Sequence, residues 1–278
     1  MSETKNDDYE HVSHGNHVPR QLTTITLTPE QFESLYLQPR ASAGAQNRLV
    51  GKVGNPTPLG ISAFLLAHMP LSMDLMGFQG AAPASGTAML GSFYACAGVG
   101  LYLACIMEWL IGNTFPSVVF GTFGGFWTAY GIIIQPSFGV AASFAPAEAA
   151  SNSVTAAAAG AATRQYNSGL GLYFVVWGIL CAIYFIASLR TNIPFAGIFL
   201  FLVFAFEFIA AGYFHTGTGH TSDAARDFKV GGAFAFVVAL LGVWIDTSLL
   251  CAAVGMPFTI PVFDLSHLGR RKNEDKEA

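Results

Sequence analysis

The sequence predicts an all-α integral membrane protein with six transmembrane helices, on the evidence of its composition and of six long apolar stretches. Hydrophobic residues make up 53% of the chain and charged residues 11%, whereas a soluble domain carries about 25% charged residues. A helix needs about 20 mostly apolar residues to cross the bilayer. The stretches of that kind are residues 58–80, 88–107, 116–138, 168–189, 194–214 and 231–253. None alternates with the two-residue period of a barrel strand, so the sequence predicts helices.

Polar segments flank the six stretches and divide the chain into three parts. Residues 1–57 are expected to be a mostly disordered cytosolic tail, 58–256 a six-helix transmembrane domain, and 257–278 a cytosolic tail. Of the 13 Lys and Arg residues, ten lie on the side that both termini share and three on the other side. The excess of basic residues predicts that both termini are cytosolic. The plasma membrane is the expected location.

The sequence contains none of the common catalytic motifs, such as a hydrolase elbow, a P-loop or HExxH. Its four cysteines all fall inside apolar runs, which is typical of small buried side chains and not of a zinc site. We therefore expect no catalytic residue, no metal, no cofactor and no enzymatic activity. The net charge of −4 gives no reason to expect a nucleic-acid partner.

Ionisable residues within membrane helices are costly, so each is a functional candidate. Glu207 lies deep in the fifth stretch and is expected to face the interior of the bundle, either as a structural anchor or as a proton-linked group. His68 precedes Pro70, which removes a backbone hydrogen bond. The sequence favours a buried neutral His68 bonded to a neighbouring carbonyl, with a proton relay as the alternative. Asp74 and Asp246 are expected to reach the headgroups.

Two motifs resemble those of the acetate uptake transporter family, which includes the bacterial succinate–acetate permease and fungal acetate permeases. Residues 55–64 read NPTPLGISAF and contain Asn55, Pro56, Pro58, Leu59 and Gly60. The second motif combines Glu108-Trp109 and Gly112-Asn113-Thr114-Phe115 with Gly124-Gly125-Phe126-Trp127. The resemblance covers about residues 50–260.

The resemblance implies a homo-hexamer in which each six-helix protomer has its own central pathway. It also implies a narrow hydrophobic constriction formed by Phe64, Phe123 and Leu202. The bacterial pattern has Tyr where this chain has Phe123. Relatives carry a pair of threonines where this chain has Ala67 and His68, which puts substrate range and proton coupling in question.

The first motif also has a direct physical interpretation. Pro56 and Pro58 have no amide hydrogen, and Asn55 is suited to capping the first free amides of the helix. The positive end of the helix dipole would attract a carboxylate. The polar side chains of Asn113 and Thr114 would contribute to this attraction. The plainer alternative is that the motif only begins a helix.

The sequence thus predicts transport of acetate and related small monocarboxylates, with succinate as a further candidate, by a proton-linked or channel-like route. The expected partners are the substrate, protons, the lipid bilayer and further copies of the chain. Two alternatives stay open at this point. One is export of ammonia, and the other is a membrane sensor of the same fold that does not transport.

Overall fold

The computed structural model describes residues 53–149, 152–263 and 265, and these residues form helices joined by short connections. Most of the predicted tails, 1–57 and 257–278, lies outside the described residues. A π-helical segment, Ser92–Val99, runs directly into the second α-helix. The α-helices are α1 (Thr57–Met76), α2 (Gly100–Leu110), α3 (Thr114–Ile134), α4 (Ser153–Ala161), α5 (Arg164–Ser188), α6 (Ile193–Gly217) and α7 (Thr221–Ala253).

Six helices of the described chain are long and apolar enough to cross a membrane, which confirms the predicted number. They are α1, the continuous helix Ser92–Leu110, α3, α5, α6 and α7. The largest difference from the prediction is that α7 begins at Thr221 instead of residue 231. The first turns of α7 carry charged residues, so the search for apolar stretches left them out of the predicted helix. Arg226 contacts Asp223 at 3.2 Å and Asp227 at 3.5 Å, so these charges stabilise the helix end among themselves.

Pro70 lies inside α1 without ending it, and the reason is a hydrogen bond from the next helix. A proline removes the amide that would bind the carbonyl four residues earlier, which here belongs to Leu66. The Ser92 hydroxyl donates to the Leu66 carbonyl at 2.8 Å. A neighbouring side chain therefore replaces the missing backbone donor, as a helix in an apolar medium requires.

The membrane-length helices form a ring around an aromatic interior. α7 packs along α1 and α6, α6 packs along α5, and α2 packs along both α1 and α3. Aromatic side chains close the ring between α3 and α5, because the Trp177 ring lies 5.0 Å from Phe126 and 5.5 Å from Phe123 between centroids. The ring arrangement places one face of every membrane-length helix toward a shared interior.

The chain after α7 folds back toward the connection between α5 and α6. Ser248 donates to the Ile260 carbonyl at 2.9 Å, and Trp244 Nε1 donates to the Pro261 carbonyl at 3.1 Å. The Ile193 amide donates to the Phe263 carbonyl at 3.0 Å. These bonds fix the start of α6 against the end of the described chain.

The substitution Ser92→Ala tests the pairing of Ser92 with the carbonyl that Pro70 leaves free. We expect it to lower the free energy of unfolding by about 1 kcal/mol, the usual scale for such a bond. In a Pro70→Ala background the restored amide binds the Leu66 carbonyl, so Ser92→Ala should then cost much less. Unfolding titrations in detergent measure both differences. An equal cost of Ser92→Ala in the two backgrounds would contradict this account.

Candidate substrate pathway

Two cavities lie inside the ring of helices, each with a volume of about 40 Å³. A bound water needs roughly 10–15 Å³ on this scale, so each cavity has room for a molecule of a few heavy atoms. Cavity A is lined by Phe64, His68, Leu71, Ser72, Leu75, Pro83, Phe123, Phe126, Trp127, Tyr130, Phe174, Leu202, Ala205, Phe206, Ile209, Tyr213, Phe228 and Ala235. Cavity B is lined by Ile61, Phe64, Leu101, Val119, Phe120, Phe123, Phe195, Ile198, Phe199 and Leu202.

Phe64, Phe123 and Leu202 are the only residues in the described chain that line both cavities. They come from α1, α3 and α6. The rings of Phe64 and Phe123 meet edge to face, with centroids 5.9 Å apart. Phe123 is 4% exposed and Leu202 is 1% exposed. The structure therefore brings the three residues of the expected constriction together at the boundary between two cavities.

A wider third cavity, the vestibule, lies beyond cavity A. It has a volume of about 390 Å³ and shares Leu75, Pro83 and Phe228 with cavity A. Its other lining residues include Asp74 at the end of α1 and Lys229 in the first turns of α7. Cavity B lies at the opposite end, beside the first turns of α1, α3 and α6. Cavity B, cavity A and the vestibule thus follow one another along α1.

The two small cavities differ in chemistry. All the residues that line cavity B are apolar. Cavity A has five polar lining residues, which are His68, Ser72, Trp127, Tyr130 and Tyr213. The side chains of Tyr130 and Tyr213 lie close enough to interact with each other. A pathway through the ring would therefore be apolar on one side of the boundary and partly polar on the other.

His68 is held in place on three sides. Its Nε2 lies 2.9 Å from the Ala235 carbonyl oxygen on α7, which confirms the predicted bond to a neighbouring carbonyl. Its ring stacks on Phe64, with centroids 4.4 Å apart and planes 21° apart. The ring edge of Trp127 completes the arrangement, with a centroid distance of 6.2 Å. His68 thus has a structural bond and also lines cavity A.

The sequence did not single out Trp127, Tyr130 and Tyr213 as lining residues of the same cavity. Their positions in the sequence nevertheless contain a signal for each of them, which is the helical spacing from a constriction residue. Trp127 and Tyr130 follow Phe123 by four and seven positions, which is the spacing of one helix face. Tyr213 lies eleven positions after Leu202 on α6, also close to a whole number of turns. Helical spacing from two constriction residues points to all three.

Glu108 connects the two sequence motifs. Its carboxylate is fully buried and accepts hydrogen bonds from the Thr57 hydroxyl at 2.5 Å and from Asn113 Nδ2 at 2.6 Å. Asn55 Oδ1 accepts from the Thr57 amide at 3.0 Å, which confirms the predicted capping role. Asn55, Glu108 and Asn113 are therefore brought together and are bonded through Thr57 or to each other. A direct role of these residues in attracting substrate stays a prediction.

The remaining motif residues divide into buried and exposed groups. Pro56 and Pro58 are buried at the start of α1. Gly60 lies against the ring of Phe120, and a side chain at this position would overlap that ring. Leu59 is 43% exposed and Thr114, the first residue of α3, is also exposed. The structure does not place Leu59 or Thr114 with the other motif residues.

Two expectations for acidic residues are wrong. Glu207 does not face the interior of the bundle. It is exposed on the outer surface of α6, with its carboxylate against Gly178 of α5, because the absence of a side chain at Gly178 leaves room there. Asp246 does not reach the headgroups. It is 8% exposed and accepts a hydrogen bond from Ser62 of α1 at 2.7 Å, because α1 and α7 pack along each other.

Residues 37–267 match the sequence profile of the GPR1/FUN34/yaaH family. The chain belongs to this family. Together with the six apolar helices, family membership identifies an integral membrane protein. The match spans both motifs and every helix of the described chain.

Several fungal proteins are similar to this chain. Protein alcS of Aspergillus fumigatus is 37% identical over 250 residues, which cover 90% of this chain and 89% of that protein. Acetate transporter protein patA of Penicillium expansum is 33% identical over 81% of this chain and 83% of its own length. Acetate permease A of Emericella nidulans is 31% identical over 81% of this chain and 72% of its own length.

A solved structure shares the fold. It is that of the bacterial acetate channel SatP, which superimposes with a TM-score of 0.57 at 20% identity. The superposition covers 75% of this chain and 99% of the bacterial chain. The two chains therefore share a fold.

Substitution of Glu108 tests the network that joins the motifs. We expect Glu108→Ala to lower the free energy of unfolding by about 1–3 kcal/mol, because it leaves the buried donors of Thr57 and Asn113 without an acceptor. Glu108→Gln should cost less, since its amide oxygen still accepts one bond. Glu148→Ala is the matched control at an exposed position and should stay within about 0.5 kcal/mol of wild type. Equal stability of Glu108→Ala and the control in detergent unfolding would contradict the network.

Proposed function

We propose that the protein transports acetate and related small monocarboxylates across a membrane, with succinate as a further candidate. The observation that carries the proposal is the position of Phe64, Phe123 and Leu202 between two small cavities inside the ring of helices. Membership of a family with proteins named acetate transporter and acetate permease supports the same substrate class. The activity is transport without catalysis and without a cofactor.

The boundary between the cavities is the barrier of the proposed pathway. Phe64, Phe123 and Leu202 offer only hydrocarbon, so a carboxylate ion passing them would lose water without gaining a hydrogen bond. The free energy required to remove water from an ion in this way is large. The substrate therefore crosses as the neutral acid or with part of its hydration shell, and the short methyl end of acetate suits the space available.

The vestibule forms the entrance on one side. Its lining contains one carboxyl group, Asp74, and also the exposed Lys229 and the hydroxyl residues Thr216 and Thr221, which offer a positive charge and polar groups to an anion arriving from water. The excess of basic residues near the helix ends supports cytosolic termini, and with that orientation the vestibule faces outward. The plasma membrane is the proposed location. Transport is proton-linked if the neutral acid is the species that crosses.

The outer face of α5 offers an apolar surface to lipid or to a second copy of the chain. The exposed side chains on this face are Leu172, Val176, Ile179, Ile183 and Ile186, which recur at helical spacing. Glu207 of α6 is also exposed, with its carboxylate against Gly178 of α5. A homo-hexamer with one pathway in each protomer is the proposed assembly.

Uptake into liposomes tests the function directly. We expect the purified full-length protein to raise uptake of labelled acetate above that of protein-free liposomes, and propionate to compete with it. Ammonia flux is measured in the same vesicles. Ammonia flux without acetate flux would replace the proposal by ammonia export. Flux of neither, with protein that elutes as a single folded species, would favour a sensor that has kept the fold.

Phe64→Ala tests the barrier. We expect faster acetate uptake and entry of larger monocarboxylates, because removal of the ring joins the two cavities. Phe115→Ala is a matched control, since Phe115 packs on Phe195 and Phe199 but lines neither cavity. The control should keep the wild-type size limit. If Phe64→Ala changes neither the rate nor the size limit, the barrier is elsewhere.

A further inference from the structure

The bond between His68 and Ala235 determines which ring nitrogen of His68 carries the hydrogen. A carbonyl oxygen can only accept, so Nε2 must be the donor in this 2.9 Å contact. In the neutral ring, Nδ1 then has a lone pair and no hydrogen. Nδ1 has no hydrogen-bond partner within residues 53–149, 152–263 and 265. His68 therefore brings an unused acceptor to the lining of cavity A.

The groups around cavity A favour the neutral form of His68. The other titratable residues in its lining are Tyr130 on α3 and Tyr213 on α6, and their side chains interact with each other. α7 contributes the Ala235 carbonyl, and the lining contains no carboxylate, lysine or arginine. The charged Asp74 and Lys229 line the vestibule instead. An imidazolium in cavity A would lack a counterion, and an uncompensated buried charge is costly.

Trp127 adds the complementary group. It is 1% exposed, lines cavity A, and its Nε1–H is buried without an acceptor in the described part of the chain. An indole nitrogen can only donate. A buried donor without a partner destabilises the folded protein, and a bound acceptor would remove part of this penalty. The lining residues of cavity A thus include one ring with an unused acceptor atom and one with an unused donor atom, and the two rings meet edge to face.

This pair matches a protonated carboxylic acid and not a carboxylate. An acid has a hydroxyl that donates and a carbonyl oxygen that accepts, whereas a carboxylate only accepts. We infer that cavity A binds the neutral acid, with its hydroxyl donating to His68 Nδ1 and its carbonyl oxygen accepting from Trp127 Nε1. A carboxylate would instead place its charge against the lone pair of Nδ1. The inference rests on the proposed function, since it concerns the form of the same substrate.

The assignment explains proton-linked transport without a proton-carrying side chain. Acetate takes up one proton from water in the vestibule, crosses as acetic acid, and releases the proton to water on the other side. One proton moves with each acetate, and no charge passes Phe64, Phe123 and Leu202. His68 acts as a specificity-determining residue, which accepts a hydrogen bond and keeps its own protonation state.

The pH dependence of uptake tests this assignment. The acid fraction falls about tenfold for each unit of pH above the pKa of a carboxylic acid, and we expect wild-type uptake above the protein-free background to fall with it. His68→Thr introduces a hydroxyl that can donate to a carboxylate, so its uptake should fall much less between about pH 6 and about pH 8. Thr128→Ala is the matched control on α3, at a residue that lines neither cavity. The Thr128 hydroxyl already donates to the Gly124 carbonyl at 2.9 Å, so this variant should keep the steep wild-type profile.

Competition by acetamide provides a test that needs no variant. Acetamide resembles acetic acid in shape, carries one donor side and one carbonyl acceptor, and stays neutral across this pH range. We expect it to inhibit wild-type acetate uptake to the same degree at every pH when the acid concentration is held constant. If the His68→Thr protein aggregates, the acetamide competition on wild-type protein alone tests the assignment.

The outcomes separate the two proposals. Wild-type flux no higher than that of protein-free liposomes overturns acetate transport and the inference with it. Clear wild-type flux with the same pH profile in His68→Thr, or with no inhibition by acetamide, overturns only the binding of the neutral acid in cavity A.

Discussion

Four polar groups on α1 are hydrogen-bonded to neighbouring segments of the chain, because hydrocarbon offers them no other partner. The Thr57 hydroxyl binds Glu108 at the end of α2, and the Leu66 carbonyl receives the Ser92 hydroxyl from the segment before α2. On the other side, Ser62 binds Asp246 and His68 binds Ala235, both on α7. These bonds fix the position of α1 between α2 and α7. They also fix Phe64, which lies on α1 between Ser62 and His68, at the boundary of the two cavities.

The same pairing explains why the family motif has its composition. Asn55 accepts from the first amide of α1, the prolines remove amides that would lack acceptors, and Thr57 supplies the donor for Glu108. Gly60 leaves room for Phe120, which lines cavity B. The motif is therefore a helix start and also a set of contacts that aligns the apolar side of the pathway.

Much of the fold follows from local properties of the sequence. Apolar length predicts the six membrane helices, and the motifs identify Phe64 and Phe123, which then meet in the structure. The orientation of side chains around each helix depends on which helices are neighbours, and apolar runs without a polar face carry little information about this. Glu207 was expected inside and lies outside for that reason, and Asp246 was expected at the headgroups but binds Ser62. The charged start of α7 was missed because its charges are paired with one another, which a count of apolar residues ignores.

The boundary formed by Phe64, Phe123 and Leu202 is the central element of this account, and sided labelling tests it most directly. In a background without Cys96, Cys105, Cys181 and Cys251, single cysteines are placed in cavity A as Ser72→Cys and in cavity B as Ile198→Cys. Silver ion, which reacts with thiols and is charged, is then added to one side of oriented vesicles. We predict that Ser72→Cys reacts from the vestibule side alone and Ile198→Cys from the opposite side alone. Reaction of both cysteines from the same side would contradict a barrier at these three residues.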